Sequence, residues 1–97
     1  MNTKADILRQ LQSLKAEAQA KYKVKGLELF GSVVRGEQNE QSDIDVLADF
    51  ADDADLLDFV GLGLFLEERL NMKVDVVPRP ALREELRDAV LKEAVPV

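Results

Sequence analysis

Residues 31–50 read GSVVRGEQNEQSDIDVLADF, and the two ends of this stretch decide the fold. Leu27-Glu28-Leu29-Phe30, just ahead of it, is a short strand candidate that runs into Gly31-Ser32. Residues 33–42 are polar and suit a short helical turn followed by a loop. Residues 43–50 read as a second strand. Side chains alternate across a strand, so Ile44 and Val46 share one face while Asp43, Asp45 and Leu47 share the other. A glycine-serine turn at the end of one strand and two carboxylates at the start of the next therefore stand close in the chain.

Outward from this stretch, the acidic run Asp49-Phe50-Ala51-Asp52-Asp53 is a turn, and Asp55 caps a helix through Leu56, Leu57, Phe59, Val60, Leu64, Leu66 and Leu70. Asn71 closes that helix. Its apolar residues outnumber what one buried face needs, which points to an interface or to a deeply buried helix. Gly61 and Gly63 lie inside it as a close-packing site, since no third glycine follows to make a dinucleotide loop. Residues 73–77 form a third strand. Pro78-Arg79-Pro80 breaks it and opens a last helix, with Pro80 near its start and a buried stripe of Leu82, Leu86 and Val90. The charged residues of that helix read as a solvated face. On the N-terminal side, Thr3 and Asp6 make a capping box for a first helix. Ile7, Leu11, Leu14 and Ala18 recur in it at helical spacing, with Leu8 widening the stripe, and Gly26 is the expected stop. The order is α-β-α-β-α-β-α. The expected fold is α/β (α+β), a small mixed sheet of about three strands flanked by helices, in one domain over residues 1–97.

A chain of 97 residues builds one core and one site. A separate specificity domain does not fit, so the choice of acceptor falls to surface loops or to another chain. The chain has no cysteine and no histidine. That excludes disulfides, zinc fingers and cysteine nucleophiles, and leaves any metal to oxygen ligands, hence Mg²⁺, Mn²⁺ or Ca²⁺. A net charge of −6 argues against direct nucleic-acid binding, which needs basic groups to neutralise phosphates. The first ten residues lack the apolar core of a signal peptide. The longest apolar stretch, residues 60–66, is too short for a bilayer, so a cytoplasmic location and no membrane contact are expected.

Three features carry chemistry. Glycine at Gly31 lets the backbone approach a phosphate, and Ser32 adds a hydroxyl and an N–H. Taken alone, the pair is more often a strand-to-turn glycine with a capping serine. Asp43 and Asp45, at i and i+2 on a strand, point to one face roughly 6–7 Å apart. They repel unless a cation lies between them, and Mg²⁺ held by one or two carboxylates and phosphate oxygens fits. The alternative is a solvated strand face. Asp75 sits between Val74 and Val76. A carboxylate in an apolar strand is costly without a partner. It completes a three-carboxylate site if its strand lies beside that of Asp43 and Asp45, and otherwise it is an edge residue facing water.

The spacing Gly-Ser-x₁₀-Asp-x-Asp resembles the signature of the DNA-polymerase-β-like nucleotidyltransferases. The fuller text resembles the minimal nucleotidyltransferase branch, with its pattern GSxxRGxxxxxSDIDxL matched by Gly31, Ser32, Arg35, Gly36, Ser42, Asp43, Ile44 and Asp45. That resemblance extends over nearly the whole chain. It implies that Gly31, Ser32, Arg35 and Ser42 bind the nucleotide. It also implies that Asp43, Asp45 and Asp75 are catalytic and bind Mg²⁺, as one ion or two. Arg35 either contacts phosphate or pairs structurally with Glu37 or Asp43. The substrate implied is ATP, and the reaction is in-line attack of a hydroxyl on the α-phosphorus. Such domains are often antitoxins that transfer AMP to a tyrosine of a HEPN-domain toxin, so a HEPN partner is implied; a homo-oligomer is also compatible. Two other readings stand beside this one: a non-catalytic nucleotide-binding antitoxin that neutralises its partner by binding, and a small-molecule nucleotidyltransferase completed by a second chain.

Overall fold

The computed structural model describes residues 3–37 and 43–97. Helix α1 (Lys4–Tyr22) leads into strand β1 (Val24–Phe30), a single helical turn α2 (Ser32–Arg35) and strand β2 (Ile44–Phe50). Helix α3 (Leu56–Leu70) and strand β3 (Val74–Pro78) follow. A 3₁₀ turn (Arg79–Ala81), helix α4 (Glu84–Glu93) and the two-residue strand β4 (Val95–Pro96) complete the chain. The strands form one sheet in the order β3-β2-β1-β4, with β1 antiparallel to β2 and β4, and β2 parallel to β3.

Local signals account for the two long helices. The Thr3 hydroxyl accepts the Asp6 N–H at 3.2 Å, and Asp6 accepts the Thr3 N–H at 3.2 Å. Asp55 and Asp58 exchange the same pair of bonds at 3.1 and 3.0 Å. Each box satisfies two donors that a helix start leaves orphaned. Asn71, at φ +55°, ends α3 and donates its N–H to the Glu67 carbonyl at 2.8 Å.

Both helices cover one face of the sheet. Ile7, Leu11 and Ala18 of α1 and Leu62, Phe65, Leu66 and Leu70 of α3 form one core with Leu29, Ile44, Val46, Ala48 and Val76. Each such large side chain, fully buried, contributes about 1.5–3 kcal/mol. The opposite face carries the register rows Phe30–Asp45–Asp75 and Glu28–Leu47–Val77. Among the described residues, no helix is long and apolar enough to cross a membrane.

Four expectations are corrected. The first helix ends at Tyr22, not Gly26. Lys23 takes the left-handed turn at φ +56°, because β1 must begin at Val24 to pair with Phe50. Gly26 lies inside β1 beside a register shift. The sheet has four strands: β4 is too short to show hydrophobic alternation, and pairing with β1 alone defines it. The last helix starts at Glu84, after the 3₁₀ turn that contains Pro80. Its supposed buried stripe is not buried, with Leu86 49% exposed, because α1 and α3 already occupy the core face. The surplus apolar residues of α3 also stay outside, Leu57 at 79% and Leu64 at 62% exposed.

The two glycines of α3 differ in a testable way. A Cβ on Gly61 would lie 2.6 Å from Cε1 of Tyr22, whose ring packs on Phe65 at 5.4 Å. A Cβ on Gly63 would meet nothing nearer than Val76 at 3.9 Å. Overpacking costs about 1–3 kcal/mol, while alanine gains about 1 kcal/mol over glycine in a helix. In urea unfolding, Gly61→Ala is therefore expected to lose stability and Gly63→Ala to hold or gain up to about 1 kcal/mol. The reverse order would contradict this packing.

Candidate active site

Strand β1 delivers Gly31 at φ +83°, ψ −153°, a conformation open to glycine alone. The space beside it is as restrictive as the backbone. A Cβ there would lie 2.1 Å from Oδ2 of Asp45 and 2.9 Å from its Cγ. The absent side chain is what lets the β1–α2 turn back directly onto the Asp45 carboxylate. Ser32 opens the single turn of α2. Gly36, at φ +74°, closes it, with the Glu37 N–H reaching the Ser32 carbonyl at 2.9 Å. Gly36 thus serves the backbone turn.

Asp45 and Asp75 are register partners on adjacent parallel strands, about 5 Å apart at the backbone. Asp43 precedes Asp45 by two residues and is exposed, as is Asp75, whereas Asp45 is half-buried. Burial, then the charges of Asp75 and Asp43, push the Asp45 carboxyl above its ordinary range, against a smaller opposing pull from Arg35. The strand of Asp75 does lie beside that of Asp45, but β3 is also the edge of the sheet and Asp75 faces outward, so both descriptions of Asp75 hold at once. Ser42 falls outside the described residues.

Arg35 pairs with Glu37, Nε to Oε2 at 3.0 Å, as one structural alternative had it. It also pairs with Glu93 of α4, Nη1 to Oε1 at 2.8 Å. The other Glu93 oxygen accepts the Gly31 N–H at 3.0 Å. Glu93 first and then Glu37 raise the proton affinity of Arg35. Burial raises the Glu93 carboxyl, but the bonds from Arg35 and the Gly31 N–H outweigh it and hold Glu93 below the usual carboxylate range. From sequence alone, Glu93 belongs to the solvated face of the last helix. Nothing in its neighbourhood marks it, because its partners lie 62 and 58 residues away.

The donors here are all oxygen, which suits Mg²⁺. Among the described residues, no three acidic side chains are already drawn close enough to hold a metal ion. Mg²⁺ retains several waters and needs only one or two carboxylates, so Asp45 with Asp43 or Asp75 fits it.

The family model described as nucleotidyltransferase domain matches residues 11–97. Protein adenylyltransferase MntA of Thermococcus cleftensis is 39% identical over 85 residues, 88% of this chain and 86% of that protein. A solved structure provisionally described as a minimal nucleotidyltransferase superposes with a TM-score of 0.73 at 39% identity, covering 90% of this chain and 95% of that one. A crystal structure of a toxin–antitoxin with AMP-PNP superposes with a TM-score of 0.68 at 25% identity, covering 98% of this chain and 72% of that one. The matched region includes all four strands and both sides of the acidic site, and the chain accordingly belongs to the nucleotidyltransferase domain family, as a minimal nucleotidyltransferase.

Proposed function

We propose that the chain transfers AMP from ATP to a hydroxyl of a partner protein, with Mg²⁺ held by Asp43, Asp45 and Asp75. In this reading it is the antitoxin of a pair whose toxin is a HEPN-domain protein modified on a tyrosine. The observation that carries the proposal is the row that sets Asp45 beside Asp75 and directly behind Gly31. It sets a glycine turn open to close approach beside a pair of carboxylates. The name of the Thermococcus relative supports transfer of AMP to protein, and the AMP-PNP complex of the toxin–antitoxin neighbour supports ATP and a partner chain. A net charge of −6 and the exposed apolar edge of α3 suit a protein partner better than a nucleic acid. Cytoplasm, where ATP and Mg²⁺ are plentiful, is the proposed location.

Each residue then has a task. Gly31 gives the triphosphate close backbone approach. Ser32, Arg35 and Ser42 donate hydrogen bonds to it. Asp43 and Asp45 would hold Mg²⁺, which would offset the charge of the phosphates. Asp75 takes the proton from the attacking hydroxyl or, if it shares that ion, leaves the proton to solvent water. The acceptor oxygen bonds to the α-phosphorus, the bond to the bridging oxygen breaks, and pyrophosphate leaves. Positioning and electrostatics supply most of the acceleration.

The test is incubation with Mg²⁺ and α-³²P-ATP in a lysate of the source cells, with γ-labelled ATP in parallel. A protein band labelled from the α position only, and absent with Asp43→Asn, is expected. No label from protein shown to bind Mg-ATP would turn the reading to an antitoxin that acts by binding alone.

A further inference from the structure

Glu93 reaches the site from the far end of the chain, and we infer that it is a positioning residue for the triphosphate, holding Gly31 and Arg35 in their binding geometry through one carboxylate. The inference rests on the assignment of Gly31 and Arg35 to the triphosphate proposed above.

The two groups it grips are those least able to hold themselves. Gly31 occupies a backbone conformation that few residues populate. Its N–H, held by Glu93 Oε2 at 3.0 Å, fixes the plane of the peptide that enters the turn. Arg35 sits on a helix of one turn between two glycines of positive φ. So short a helix has little stability of its own. Glu93 Oε1 takes the Arg35 Nη1 at 2.8 Å, and Glu37 takes its Nε at 3.0 Å. The guanidinium is thereby aimed, with its remaining N–H donors left for an anion.

An ionised carboxylate on two anion-binding groups is also what a built-in competitor would look like. The chain beyond Glu93 decides between the two. The Ala94 N–H closes α4 on the Val90 carbonyl at 2.8 Å. Val95 and Pro96 then pair with Leu29 and Glu28 of β1. The Val97 N–H bonds the Leu27 carbonyl at 3.0 Å, and Lys15 Nζ bonds the Val97 carbonyl at 2.9 Å. Glu93 is therefore fastened, two residues on, to the same strand that carries Gly31. Its side chain is only 19% exposed, although α4 buries no residue. With its backbone tied to the strand it contacts, Glu93 has the placement of a strut, and a competitor would have to leave by side-chain rotation alone, since the β1–β4 pairing holds the end of α4 in place.

The test is calorimetric binding of α,β-methylene-ATP, which cannot donate AMP, with Mg²⁺. It compares wild type, Glu93→Ala, Glu93→Gln, Arg35→Ala and the double variant Arg35→Ala/Glu93→Ala, with thermal melts alongside. Glu93→Ala is expected to weaken binding about tenfold, as loss of a charge-assisted contact does. Glu93→Gln keeps an acceptor for the Gly31 N–H and should recover part of the affinity. In the Arg35→Ala background the further loss from Glu93→Ala should be smaller, because one of its two targets is gone. A lowered melting temperature with unchanged affinity in both Glu93 variants would make Glu93 purely structural and overturn the inference. Tighter binding would make it a competitor and overturn it equally. If wild type itself fails to bind the analogue, the triphosphate assignment fails and takes the inference with it.

Discussion

Asp45→Asn is expected to abolish nucleotidyl transfer and, in magnesium-free buffer at neutral pH, to melt at a higher temperature than wild type. Both effects come from one placement. Asp45 is half-buried behind Gly31, with Asp75 on the neighbouring strand and Asp43 two residues away. Burial and these like charges raise its carboxyl above the ordinary range. An acid whose folded value is raised costs stability once it ionises. The cost is absent in acid, where folded and unfolded chains are both protonated. It grows as pH rises through the ordinary carboxylate range and is complete above the raised folded value. The stability gap between the variant and wild type should follow that course, opening from acid toward neutral pH. Mg²⁺ bound to the native state should raise the wild-type melting temperature and leave Asp45→Asn nearly unmoved. For transfer, the Mg²⁺ role proposed for Asp45 implies a fall of about 10³-fold or more, since such an ion contributes several kcal/mol to the transition state. Activity within tenfold of wild type, or a lower melting temperature without metal at neutral pH, would sink this account.

Gly31→Ala should be the most damaging of the glycine changes. The new methyl would sit 2.1 Å from Asp45 Oδ2, 2.9 Å from Cγ and 3.1 Å from Cβ, so rotating the carboxylate alone does not clear it. The backbone at φ +83°, ψ −153° adds strain of about 1–3 kcal/mol to an overpacking cost of similar size. Against a total stability of about 5–15 kcal/mol, urea unfolding should show a loss of several kcal/mol. The surviving folded fraction should transfer at least about 10²-fold more slowly, because the turn and the carboxylate can no longer touch. Gly36→Ala is the control. A Cβ there meets nothing within 4 Å, so only the left-handed backbone, at about 1–2 kcal/mol, opposes it. Equal losses at the two glycines would refute the close approach of Gly31 to Asp45.

How much was legible beforehand depended on whether the determining contacts were local. Asp55 and Asn71 were readable as the ends of α3 because each acts within one helical turn. Gly26 misled because glycine commonly ends helices, and only the pairing of Val24 with Phe50 forced the turn to Lys23. The stripe of α4 misled for a similar reason: amphipathic spacing says that a face can be buried, and the neighbours decide whether it is. Arg35 was legible as a candidate but not its placement, because Glu37 is local and Glu93 is not.

By itself, the sequence determined the kind of protein and set the candidate glycine turn close to two of the three candidate carboxylates. Gly31, Ser32, Asp43 and Asp45 lie within fifteen residues of one another, and strand alternation with glycine stereochemistry acts over that range. Tertiary structure alone decided that β3 runs parallel beside β2, so that Asp75 meets Asp45, and that β4 returns to β1, so that Glu93 meets Gly31 and Arg35. The physical reason is the same in both cases. Such contacts depend on which strands find one another once α1 and α3 have claimed one face of the sheet, and no residue's immediate neighbours record that outcome.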